Sequence, residues 1–294
     1  MSKGNCALCH EFKELELSHI VPKFVIRYSK KTSFGAIRNM DNPNRVVQDG
    51  EKHYMLCGAC EDLFSTYETK FANKFFYPYM IDSKKEFNYD QETYYFITSV
   101  SWRSLYLDIL DFVQNHDAYG VDMNTLDNLI KKEKCMREYL LKKNSEIEGV
   151  ENHIFFFDDL IDVEKSYAEL RPHATFHRGI ISYTFFDKQL NSQATITNMM
   201  GIILFTLYNK DPEEYWENTE ILNGNGYIEA RNQKIQSFCV NELTEILDLA
   251  KQKSDNISEK QRLKIVDKVK TDPENFSKSK AFEDLMKDLN LDQS

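Results

Sequence analysis

Cys6-Ala7-Leu8-Cys9 and Cys57-Gly58-Ala59-Cys60 are two CxxC knuckles with residues 10–56 between them, and their reading decides how the chain is organised. Each knuckle puts two thiolates on one tight turn, and two such turns supply the four soft ligands that tetrahedral zinc takes in a closed structural site. Cys6, Cys9, Cys57 and Cys60 are therefore the expected zinc ligands, with no position left over for a substrate. A redox role is the competing reading, but a thioredoxin-type CxxC occurs once and beside a βαβ pattern. Cys135 and Cys239 fall on apolar helix faces and read as ordinary buried residues. In isolated fingers such a site contributes roughly 10 to 16 kcal/mol of apparent binding energy, enough to organise a segment too small for its own core.

The chain around the knuckles has 294 residues, 41% hydrophobic and 13% aromatic, with 10 Gly and 6 Pro. That composition excludes collagen-like, low-complexity and wholly disordered classes and suits about two domains. The longest apolar run, Met199 to Tyr208, is too short to cross a bilayer as a helix, so no membrane association is expected. Met1 to His10 has no apolar stretch of the secretory kind, which makes the cytoplasm the expected compartment and reduced thiols or metal ligands the expected state of the six cysteines.

The net charge of -10 is unevenly spread: residues 1–80 carry 11 Lys/Arg against 9 Asp/Glu, and residues 81–294 carry 26 against 38. Within Ile20 to Lys52 stand Lys23, Arg27, Lys30, Lys31, Arg38, Arg45 and Lys52 against Asp41, Asp49 and Glu51. Such a stretch suits phosphates, although a solvated basic loop would read the same way.

The expected fold class is α+β in three parts: a zinc-stapled segment over 1–80, a mixed helical and β domain over 81–253, and a charged helical tail over 254–294. Apolar residues recurring three or four apart from Gln91 to Gln114 predict a buried core helix. Met123 to Lys143 predicts a second helix capped at Asn124 or Thr125. His153–Phe157, Ala174–Phe186 and Ile202–Tyr208 read as strands, and Asn223-Gly224-Asn225-Gly226 as a turn. Helical patterns follow over Arg231–Lys251, Ser258–Lys270 and Ser279–Leu289.

Between the knuckles stands Leu17-Ser18-His19-Ile20-Val21-Pro22-Lys23, and the second knuckle is embedded in Met55-Leu56-Cys57-Gly58-Ala59-Cys60-Glu61. Here the first 80 residues resemble the HNH endonucleases of the ββα-metal class, in which a CxxC precedes a His-Ile-x-Pro strand and a Leu-x-Cys-x-x-Cys turn opens a helix. They are also similar to a group of uncharacterised bacterial proteins with the same Ser-His-Ile-x-Pro-Lys-Phe wording. The resemblance implies a treble-clef fold and metal-dependent hydrolysis of DNA, with RNA second, in bacterial defence or restriction. It implies His19 as the general base that activates water and Glu61 as a ligand for Mg²⁺ or Mn²⁺. Lys23, Arg38, Asn44 and Arg45 would contact phosphates, and Glu68 is a weaker candidate ligand. The chain departs from the pattern at Ser18, where many members have Asp, and at Lys52 and His53, where an Asn is usual. The alternative is a non-catalytic zinc module that binds nucleic acid or a protein partner, with His19 packed beside the zinc, Glu61 capping a helix and the acidic second domain as interaction surface.

His173 and His177, followed by Arg178, form a second constellation. Their spacing puts the histidines on one face and suits a metal or a phosphate, while the neighbouring Thr175, Ile180, Ile181 and Thr184 predict a strand in which they merely hydrogen-bond. No Walker loop, dinucleotide fingerprint or Gly-x-Ser-x-Gly elbow occurs, which leaves P-loop and serine-esterase chemistry without support.

Overall fold

The computed structural model describes residues 2–35, 37–38, 42–157, 167 and 169–291. The chain begins with an antiparallel sheet of β1 (Ser2–Asn5), β2 (Phe12–His19) and β3 (Lys52–Cys57), in that order. The first knuckle forms the turn from β1 to β2, closed by His10 N–H donating to the Cys6 carbonyl at 2.9 Å, with His10 left-handed at φ 62°. Between β2 and β3 the chain makes α1 (Lys23–Thr32), which Pro22 precedes and which buries Phe24, Val25 and Ile26. α2 (Gly58–Phe71) starts directly after β3, so the second knuckle is the strand-to-helix junction. A single π turn over Ala72–Phe76 and α3 (Tyr77–Asp82) continue it, and burial of Phe71, Phe75 and Phe76 makes one aromatic wall.

Against that wall lies α4 (Gln91–Gln114), whose start is fixed by the Asp90 carboxylate accepting from the N–H groups of Glu92 and Thr93 at 3.1 Å each. Nearly every residue from Thr93 to Leu105 is buried, because α4 is covered on opposite sides. On one side are α2 and the cysteines; on the other is a five-stranded antiparallel sheet of order β10-β5-β8-β7-β6. Its strands are β5 (Glu151–Phe156), β6 (Ile180–Asp187), β7 (Ser192–Met199), β8 (Ile202–Asn209) and β10 (Glu220–Ile221).

Strand alternation sorts β8 cleanly: Ile202, Leu204 and Tyr208 join the core around α4, while Ile203, Phe205 and Leu207 face a second core with Phe238 and Ile246. Where α4 meets the sheet the contact is partly polar: Thr206 Oγ1 donates to Asn152 Oδ1 and accepts from the Ser101 hydroxyl at 2.7 Å each, and the Thr184 N–H donates to Asp108 at 2.6 Å. The described residues reproduce the α+β class, and none of their helices is long and apolar enough to cross a membrane.

Several boundaries differ from expectation. α5 (His116–Tyr119) and α6 (Met123–Leu140) follow α4, and α6 is capped by Asp122, which accepts from Thr125 N–H at 2.8 Å, ahead of the expected Asn124 or Thr125. The strand expected from Ala174 begins at Ile180, because Pro172 opens a short helix, α7 (Pro172–Arg178), that ends at Gly179. A Cβ on Gly179 would stand 2.5 Å from the Thr175 carbonyl, so the exit from α7 needs glycine. β7 was hidden in Thr-rich Ser192–Met199 and closes onto β8 through a tight Met200-Gly201 turn, both residues at positive φ.

β4 (Glu86–Tyr89) pairs with β11 (Gly226–Glu229), and β9 (Tyr215–Glu217) with β12 (Lys234–Gln236). β12 takes the start of the expected Arg231–Lys251 helix, so α8 (Phe238–Asp255) begins later, with Ser237 Oγ accepting from Cys239 N–H at 3.1 Å. The tail folds as α9 (Glu259–Thr271), α10 (Pro273–Ser277) and α11 (Lys280–Leu291). The expected division after residue 80 falls inside α3, and one continuous core runs from Cys6 through α4 to Ala230.

Candidate metal centre and the polar cleft beside it

The two knuckles meet as the sequence requires. β2 lies between β1 and β3, so the β1–β2 turn arrives over the β3–α2 junction, and the four cysteine Sγ atoms all lie within 4.8 Å of one another. Cys9 and Cys57 are 3.9 Å apart at sulfur, close to the edge of about 3.8 Å that a tetrahedron of ~2.3 Å metal–sulfur bonds has. Cys6, Cys57 and Cys60 are buried and Cys9 is partly exposed. The Cys60 thiol beside it draws Cys6 down to about 4, and the same contact pushes Cys60 up. The quartet is compatible with a structural metal such as zinc, and it is the cluster of three or more His, Cys, Asp or Glu ligands that the described residues contain.

His19 ends β2, with 14% of its side chain exposed. Its Nε2 is 3.1 Å from Asp49 Oδ1, while Asp49 Oδ2 is 2.9 Å from Lys52 Nζ and Gly50 N–H donates to Oδ1 at 3.0 Å. The Lys52 ammonium, opposed by burial and helped by His19, holds the Asp49 carboxyl well below the usual carboxylate range. An ionised Asp49 only accepts, so Nε2–H donates and Nδ1 is the basic nitrogen of His19. Asp49, Lys52, His53, Arg38 and Arg45 line a cleft of about 720 Å³ whose far wall is the β6 segment Ile180 to Tyr183.

Behind His19 lies a residue that pattern reading passed over. Arg103 of α4, 1% exposed, donates from Nη1 to the His19 carbonyl at 2.7 Å, meets Glu68 Oε1 at 2.9 Å, and lies over the Phe64 ring. Glu68 is thus an ion-pair partner of α4. Glu61 stands in the first turn of α2 with its Oε1 buried and without a hydrogen-bond partner. Burial pushes its carboxyl up, against the Ser18 hydroxyl and the Arg103 charge. Ser18 is fully buried, and its Oγ also accepts from Leu56 N–H at 3.2 Å. A carboxyl so enclosed beside a guanidinium does not fit a hydrated Mg²⁺ or Mn²⁺ ion.

The remaining candidates separate. Lys23 is exposed at the start of α1, away from the cleft lining. Arg38 donates to the Pro43 carbonyl at 2.8 Å and to Gln261 of the tail at 3.3 Å. Asn44 is bound to the tail on both sides of its amide, donating to the Asn256 carbonyl at 3.2 Å and accepting from Ser258 N–H at 2.8 Å. His173 and His177 lie on helix α7 facing α11: His173 Nδ1 is 2.9 Å from Asp288 and His177 Nδ1 is 3.0 Å from Asp284. Arg178 turns elsewhere, donating to Ser33 Oγ at 3.0 Å.

Comparison with known protein families, with characterised proteins and with solved structures returns no match for this chain. The chemistry is therefore carried by the residues alone.

Proposed function

We propose that the chain is an HNH-like phosphodiester hydrolase acting on nucleic acid, DNA first and RNA second, built on a zinc-stapled treble clef. The knuckle, the antiparallel β2–β3 pair and the helix that opens at the second knuckle are the parts such a clef needs, and Cys6, Cys9, Cys57 and Cys60 would hold its Zn²⁺. The observation that carries the reading is the His19–Asp49 pair, in which Asp49 lines a cleft together with Arg38, Arg45, Lys52, His53 and Glu51. Asp49 fixes the ring, leaving Nδ1 of His19 to take a proton from an attacking water. The cationic side chains offset the charge of a strand laid in the cleft. Arg103 holds the His19 backbone from beneath and acts as a positioning residue.

No step is assigned to Glu61. A second reading, a zinc module that binds nucleic acid without cutting it, is favoured by the enclosed carboxyl of Glu61. Nicking of supercoiled plasmid by the zinc-loaded protein, with Mg²⁺ or Mn²⁺ added, separates the two. We expect wild type and Glu61→Gln to nick and His19→Ala, shown folded, to lose at least ~100-fold in rate, as removal of a general base does. Plasmid retarded in a gel but uncut by wild type would establish the binding module instead.

A further inference from the structure

A smaller cavity of about 270 Å³ lies between α1, β6, α7 and α8 and adjoins the cleft, sharing Ile37, Arg38, Ile180 and Ile181 with it. Its polar lining includes Arg178, Arg38, Ser29, Ser33 and Asn198, and among the described residues no carboxylate lines it. Among the described residues Arg178 donates from Nη2 to the neutral Ser33 Oγ, while its Nη1 is buried without a hydrogen-bond partner. Burial lowers the Arg178 pKa below its ordinary value, and the carboxylate that acts on it, Asp284, is hydrogen-bonded to His177. A guanidinium left partly unpaired in a confined space, with a second one on the same wall, is costly unless an anion enters. The unpartnered Nη1 of Arg178 can donate to a phosphate oxygen, the Arg38 guanidinium, whose Nη1 and Nη2 are held by Pro43 and Gln261, adds its charge, and the serine hydroxyls donate to whatever oxygen remains. Ile37, Ile180, Ile181 and Ile246 also line the cavity, giving the organic part of the ligand an apolar surface.

From this arrangement we infer that Arg178, Arg38 and Ser33 form a binding site for a phosphomonoester group, separate from the hydrolytic reaction proposed at His19. The group can come from a small phosphorylated molecule or from the 5′ end of a nucleic acid strand, and the probes distinguish the two.

The test is calorimetric titration of the full-length protein at fixed ionic strength with inorganic phosphate, a nucleoside monophosphate, the parent nucleoside, and a short oligonucleotide with and without its 5′-phosphate. Saturable binding of inorganic phosphate and the monophosphate, absent for the nucleoside, is the expected result. Arg178→Met should weaken that binding by about tenfold or more, the loss typical of a charge-assisted hydrogen bond, and Ser33→Ala by severalfold. Arg178→Lys, which keeps the charge and loses the fork, guards against a folding defect: an unchanged circular dichroism spectrum with weaker binding supports the site. A 5′-phosphorylated oligonucleotide binding tighter than the monophosphate would assign the site to strand ends, and the reverse order to a small molecule. No saturable binding of any phosphate probe, or equal affinity in wild type and Arg178→Met, overturns the inference.

Discussion

At the level of single side chains, Asp108 has the clearest pH signature. Burial where α4 meets the sheet pushes its carboxyl up to about 7, against the hydrogen bonds from Thr184 that favour its charged form. In the unfolded chain it titrates near ~3.9. Between those two values the unfolded state releases a proton that the folded state keeps, so Asp108's contribution to stability is complete below about pH 4, declines towards about pH 7 and is level above. Asp108→Asn keeps an acceptor for the Thr184 N–H and does not titrate. Urea denaturation should therefore show the variant gaining on wild type from pH 5 to pH 8; the same difference at both values would disprove it. The cysteine quartet was legible because its signal is local, two residues on each of two turns. Asp49 and Arg103 were not: one reads as a turn residue in Gln48-Asp49-Gly50, and the other is an arginine in an apolar helix whose partner, His19, is remote in sequence.

Among the elements, α7 and α11 make the contact that periodicity alone could not resolve. The β-branched residues near His173 favour a strand, but Pro172 starts a helix and Asp288 caps it, accepting from the N–H groups of His173 at 2.8 Å and Ala174 at 3.0 Å as well as from the His173 ring. One buried carboxylate thus satisfies two free helix donors and a histidine. Asp288→Ala should destabilise the protein by about 2 kcal/mol or more, measured by chemical denaturation, since it removes a cap and leaves buried donors unpaired. It should also expose the tail to limited proteolysis at residues 278–279, between α10 and α11. Wild-type stability in that variant would mean α11 is held by its apolar face alone.

For the whole molecule, the decisive feature is that α4 is shared. Phe71 stacks on Phe96 at 3.9 Å between ring centroids and Phe64 meets Trp102 edge-on at 6.0 Å, so the cysteine-bearing segment and the sheet pack on one helix. Sequence reading found the helix, but a composition shift near Pro78 marks a change of chemistry and not a break in packing. Metal loss at the cysteines should therefore be felt throughout. Chelation, or Cys57→Ser, should lower the midpoint of thermal unfolding by ~10 °C or more in a single transition followed by both far-ultraviolet dichroism and tryptophan fluorescence. Two resolved transitions would show that the segment around the quartet unfolds alone.

The hydrogen bonds of Asn44 to Asn256 and Ser258, and of Arg38 to Gln261, also set an order in time. A polypeptide leaves the ribosome from its amino end, so the four cysteines are all outside long before the residues that fasten Arg38 and Asn44 have been made. Metal capture is open to the growing chain, whereas this latch can close only after residues 256–261 have emerged.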